Sequence, residues 1–217
     1  MSAIKLTADS GGGTVELKAP ATTTSNAALQ FKLPVVDGTS GQALTTNASG
    51  QLAFATITGG ITMADSWSVT TSFNAQNADF TSNWARAPYT GNTEFGGFGS
   101  AMTESSGIFT FPSNGHYYVE ATISGYANGG AINNIGLLQK FSTDSGSNYS
   151  EALKAYTSGS TDSAHFSITT SEIYDITDYA NMRWKMRLES GGTCNIFGTT
   201  TGNDGLTGVR FIRLGDT

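Results

Sequence analysis

Asp175 and Asp178, in Tyr174-Asp175-Ile176-Thr177-Asp178-Tyr179, are the chain's nearest approach to the paired carboxylates of a glycan hydrolase. That chemistry needs two acids whose surroundings hold their pKa values apart. These two read as an exposed turn before a strand that starts at Met182, where nothing separates them. Nucleophilic catalysis needs a base beside its nucleophile. His116 adjoins Tyr117 and Tyr118, and His165 adjoins Phe166, so both histidines read as strand-face residues. Cys194, the one cysteine, sits in the alternating run Thr193-Cys194-Asn195-Ile196-Phe197 and reads as a small buried hydrophobe rather than a reactive thiolate. A lone cysteine excludes an internal disulfide, and with two histidines it supplies too few soft ligands for structural zinc. Gly96-Gly97-Phe98-Gly99 has neither the lysine nor the following helix of a phosphate cradle and reads as a loop. Asp144-Ser145-Gly146-Ser147-Asn148 and Asn203-Asp204-Gly205 are rich in oxygen, but neither has the spacing of a dedicated calcium loop.

Binding chemistry is better represented. Arg183, Lys185 and Arg187 share one face of a strand whose other face carries Trp184, Met186 and Leu188. The charged face points to solvent or a neighbouring subunit; its alternative use is to hold an acidic surface sugar. In Trp84-Ala85-Arg86-Ala87-Pro88-Tyr89, a turn-rich setting presents rings that could stack on a sugar while nearby groups bond its hydroxyls. Trp84, Arg86 and Tyr89 are therefore the ligand-binding candidates, with Trp84 as partly buried structure the other reading. No catalytic residue, metal or cofactor is expected, and the chain reads as a non-enzyme.

The elements that must position these residues are strands. Charged residues are only 13% of the 217 and apolar ones 38%, which excludes highly charged disorder and coiled coils. A net charge of −6 leaves no electrostatic footprint for nucleic acid. No run approaches the roughly 20 apolar residues of a membrane span, and Met1-Ser2-Ala3-Ile4-Lys5 lacks a signal-peptide apolar core, so synthesis in the cytoplasm and no membrane insertion are expected.

Aromatic residues divide the chain. Of its 3 Trp, 8 Tyr and 12 Phe, residues 1–60 hold only Phe31 and Phe54, and their three lysines balance three acids. Alternation at Val15 and Leu17, at Leu29, Phe31 and Leu33, and at Leu52 and Phe54 predicts short strands, none stable as a lone hairpin. The economical solution is that several copies of the chain supply one another's missing core; a merely flexible N-terminal segment is the other reading. Gly59-Gly60 marks a hinge, and residues 61–217 form a second domain. There, strands are predicted near residues 66–73, 107–111, 116–126, 132–141, 149–156, 165–169, 182–189, 194–197 and 208–214, separated by turn chemistry, with almost no helix.

Two resemblances follow. Gly107-Ile108-Phe109-Thr110-Phe111-Pro112-Ser113-Asn114-Gly115-His116-Tyr117-Tyr118-Val119 resembles the turn and paired strands of C1q/TNF-like jelly-roll heads, and residues 208–216 resemble that family's closing strand. The likeness covers roughly residues 67–216, with no counterpart for 74–100. Gly13-Thr14-Val15-Glu16-Leu17-Lys18-Ala19-Pro20, Leu29-Gln30-Phe31-Lys32-Leu33-Pro34 and Gly41-Gln42-Ala43-Leu44 through Gly50-Gln51-Leu52 are similar to the opening segments of tailed-phage fibre and virion proteins, especially of marine phages. Together they imply an all-β homotrimer: a short-strand attachment segment, 1–60, bound to other virion proteins, then a C1q/TNF-like jelly-roll sandwich exposed on the virion for host-surface glycan binding. A capsid decoration or head-fibre protein is the alternative, and a glycan-trimming enzyme a minor one.

Overall fold

The computed structural model describes residues 3–7, 14–18, 32–47, 51–56, 60–86, 96–199 and 207–217, and the chain divides into two compact units, Met1–Thr58 and Gly59–Thr217. All regular structure among the described residues is strand.

In the first unit, β1 (Ala3–Thr7) pairs antiparallel with β2 (Thr14–Lys18), and β3 (Gln42–Thr46) with β4 (Leu52–Thr56), placing Leu44 opposite Phe54. The strand expected over Leu29, Phe31 and Leu33 is corrected at its end: Lys32 makes one parallel bridge to Gln51, and Leu33 lies outside any strand. Pro34 follows, which has no N–H to continue a ladder. Leu29 and Phe31 lie outside the described residues.

The second unit is a sandwich. Its strands are β5 (Met63–Val69), β6 (Phe73–Ala75), β7 (Trp84–Arg86), β8 (Thr103–Ser105), β9 (Ile108–Thr110), β10 (Gly115–Ala127), β11 (Ile132–Ser142), β12 (Ser150–Gly159), β13 (His165–Ile176), β14 (Arg183–Ser190), β15 (Cys194–Ile196) and β16 (Gly208–Gly215). One sheet is built on β10. One edge of β10 pairs with β13 along nearly its whole length; the other pairs first with β16, which leads to β5 and β7, and then with β15, which leads to β6. The second sheet runs β12, β11, β14, β9, β8.

Strict alternation makes β10 the frame: Tyr117, Val119, Ala121 and Ile123 are buried and the residues between them are half-buried on the other face. From the opposite sheet Ile135, Leu137, Trp184, Met186 and Leu188 meet them. Phe109 is the hub, with ring centroids 5.6 Å from Trp67, 5.2 Å from Trp84, 5.7 Å from Trp184 and 5.2 Å from Phe211. The turn before it closes at Gly107, whose φ of +78° and contact with the Phe80 carbonyl leave no room for a side chain.

The two sheets are also tied by a buried polar network. Gln139 on β11 accepts at Oε1 from the Trp184 indole at 3.0 Å and the Tyr174 hydroxyl at 2.9 Å, and its amide donates to the Thr170 carbonyl and hydroxyl. Burial pushes the Tyr174 phenol far above its usual range. Every polar atom in the group is satisfied, as a dry interior requires.

Two expected elements differ. The strand expected over 66–73 breaks after Val69, because Thr70 turns its N–H to the Asn83 carbonyl and the chain re-pairs on β15 as β6. The strand expected over 165–169 runs on to Ile176, sustained by the equally long β10 beside it, which places Asp175 within a strand and leaves only Asp178 in the turn.

Candidate functional site

Trp84 and Arg86 lie on β7, at the edge of the first sheet beside β5. The Trp84 indole N–H donates to the Phe80 carbonyl at 2.9 Å, and its ring stands edge-on to Phe109. Arg86 donates from Nε to Asp65 Oδ1 at 2.5 Å. Asp65 is fully buried, and its other oxygen accepts from the Trp67 indole at 3.1 Å and the Met102 amide at 2.8 Å. One carboxylate thus joins β5, β7 and the chain entering β8. Sequence reasoning missed it, because Asp65 falls just before the strand expected over 66–73 and its partners Arg86 and Met102 lie 21 and 37 positions away. Trp84 is partly buried and Arg86 keeps about a third of its side chain in water, 36%. Tyr89 lies outside the described residues.

The basic strand face is bound up in the same way. Lys185 and Arg187 grip Asp79 at 2.7 Å and 3.2 Å, and Arg187 also donates to the Asn77 carbonyl at 2.6 Å. Burial raises the Asp79 pKa, but the hydrogen bonds and charges of the two cations outweigh it and hold the carboxyl below 3.8. Arg183 bonds the carbonyls of Tyr179, Ala180 and Met182. Lys185 also lies over the Tyr149 ring, 3.9 Å from its centroid. What these cations hold is the stretch after β6: Phe80 N–H donates to Met186 O and Leu188 N–H to Ala78 O, so this segment crosses from the first sheet to the part of β14 that extends beyond its pairing with β9.

The remaining candidates are separated. His116 reaches Asp175 at 3.9 Å and its Nδ1 contacts the Asp216 carbonyl at 3.0 Å; His165 stacks on Tyr126 and meets Phe197 edge-on. Asp175 and Asp178 are both exposed, one on a strand and one in a turn. Asp144 accepts from the Asn148 backbone and side chain and from Ser142, which hold its carboxyl at about 2 and close its loop with protein donors. Asn203, Asp204 and Gly205 lie outside the described residues. Cys194 is buried, which pushes its thiol up. Phe98 pairs with Ala64 in a two-way bridge while Gly97 and Gly99 press on the β5 backbone, so that glycine run edges a sheet. Among the described residues, no three His, Cys, Asp or Glu side chains converge as metal ligands.

Among solved structures, the chain is similar to Eiger TNF from S. frugiperda, at 13% identity over 71% of this chain and 93% of that one, with a TM-score of 0.54. The fold is a C1q/TNF-like jelly roll. Murine APRIL at pH 5.0 follows at 9% identity, 70% and 98% coverage and a TM-score of 0.49, and the globular domain of zebrafish complement 1qA protein at 13% identity, 69% and 93% coverage and a TM-score of 0.43. No protein-family model and no curated sequence matches the chain. At such identities the likeness is one of fold alone.

Within that jelly roll, residues 74–86 supply the parts just described: the Asp79 latch, the buried Phe80, and β7 with Trp84 and Arg86. The charges at 79 and 185–187 and the pairing of Arg86 with Asp65 are what fix this stretch against both sheets.

Proposed function

We propose that this chain is a non-enzymatic homotrimeric phage virion protein, a fibre or spike whose N-terminal unit attaches it to the particle and whose jelly-roll head is exposed to host-surface glycans. The observation that carries this reading is the contrast between the units. The head closes a complete aromatic core of its own, whereas the N-terminal unit leaves Leu33, Val35, Val36, Leu44 and Phe54 in solvent. A stable head and an unfinished attachment segment suit a protein that is held through one unit and displayed through the other. Three copies of one head would present three identical loop surfaces, so weak glycan contacts add up through avidity without a deep pocket. Trp84, Arg86 and Tyr89 are the proposed glycan contacts, the first two acting through the surface that their strand partners leave open.

Electron microscopy of phage particles decorated with antibody to the head tests this. Label on tail fibres, with adsorption blocked by the same antibody, supports the reading. Label on the capsid surface with normal adsorption would replace it with a decoration role, and unlabelled particles would remove the virion assignment.

A further inference from the structure

Among the described residues of the N-terminal unit, large exposed apolar side chains gather on residues 33–36 and on the hairpin of β3 and β4. Leu33, Val35 and Val36 are 76%, 93% and 71% exposed. Leu44 and Phe54 face each other across β3 and β4, both exposed, and the Phe54 ring folds onto Gly38, where a Cβ would fall 2.6 Å from it. Residues 32–38 therefore lie against the hairpin, bridged at Lys32 to Gln51 and in contact at Gly38 with Phe54, and exposed apolar side chains gathered on touching segments mark a docking site.

The charges around the patch identify what docks. Lys32 and Asp37 stand at the two ends of Leu33-Pro34-Val35-Val36, both exposed, and among the described residues neither has an ion-pair partner. Each copy thus offers a cation at one end of the apolar segment and an anion at the other, so the cation of one copy can meet the anion of the next in a head-to-tail contact. Three lysines balance three acids in residues 1–60, so copies of this unit meet without net repulsion although the whole chain carries −6. Pro34 has no N–H and blocks the segment from templating an open-ended sheet. A head-to-tail contact that does not propagate as a sheet can close as a ring.

We propose that residues 32–37 dock on a second copy of this chain, with Val35 and Val36 against the partner's Leu44 and Phe54 and Lys32 against the partner's Asp37. The proposal rests on the homotrimer reading above and adds that the N-terminal unit carries a subunit contact of its own.

The test co-expresses full-length Lys32→Cys and Asp37→Cys chains and treats the assembly with a short bismaleimide; Cys194 is buried, and unsubstituted protein is the control. A covalent two-chain product is expected only when both variants are present together. Adding Val35→Asp and Val36→Asp should lower its yield at least about tenfold with the near-ultraviolet dichroism of the head unchanged. No product from the mixture, equal product from either variant alone, or a yield indifferent to the aspartates would overturn the contact. Light scattering of the unsubstituted chain separates the two levels: a monomer sinks the trimer reading and this contact with it, whereas a trimer without the cross-link sinks the contact alone.

Discussion

Replacing Trp84 with alanine separates its two possible roles by energy. Complete removal of a buried aromatic costs about 3–5 kcal/mol. Trp84 is only partly buried, so the loss should be smaller and can be assembled from its contacts. The edge-on approach to Phe109, with centroids 5.2 Å apart, contributes about 0.5–1.5 kcal/mol. The indole bond to the Phe80 carbonyl adds about 0.5–1.5 kcal/mol, and the lost apolar area about 1 kcal/mol more. Trp84→Ala should therefore cost about 2–4 kcal/mol in the denaturant midpoint of the purified protein. Trp84→Phe keeps a ring against Phe109 and loses the indole N–H, so it should cost about 1 kcal/mol. Phage adsorption to host cells is measured on the same variants. The structural account expects stability to fall in the order wild type, Phe, Ala. Unchanged midpoints for both variants, with adsorption abolished, would refute the packing argument and leave Trp84 as a glycan platform alone.

Gln139→Leu should cost about 2–5 kcal/mol in a denaturation titration, because the Trp184 indole and Tyr174 hydroxyl lose their shared acceptor inside the core; a neutral result would mean that the network contributes nothing to holding the sheets. Acid should weaken the head through Asp79 and Asp144. Both carboxyls lie below 3.8 when folded, so their contribution is complete above that pH and fades as pH falls through the folded values, toward about 2 for Asp144. Midpoints measured between pH 5 and 2 should therefore flatten in Asp79→Asn, and an unaltered slope would count against the Lys185 and Arg187 latch. The Cys194 thiol should resist maleimide in native protein and react within minutes in denaturant, read by mass spectrometry; rapid native labelling would contradict its burial.

The long strands were legible because each declares its inner face by itself. Alternation from Gly115 to Ala127 needs no knowledge of the partner strand, and neither does the Trp184, Met186, Leu188 series. Strand ends were less so, since they depend on what lies alongside: β13 extends to Ile176 only because β10 is there to pair with it. The polar junctions were hidden altogether. Asp79 meets Arg187 across 108 positions, Gln139 meets Trp184 across 45, and Asp65 meets the Met102 amide across 37, and nothing in the neighbourhood of any of them announces the other. The tryptophan at 84 was visible as a ring in a turn-rich stretch, but its hydrogen bond to a carbonyl four residues back appears only once β7 is in place. The Arg183, Lys185 and Arg187 face was seen as a charged surface, and the structure supplies the crossing segment that occupies much of it.

Assembly is the claim on which the display function depends, and the mass of the full-length chain in solution tests it most directly. Light scattering at micromolar concentration should give three times 22.6 kDa, unchanged on tenfold dilution. A single species of 22.6 kDa would contradict the account, since neither the exposed patch of the N-terminal unit nor a multivalent head has a meaning in a monomer.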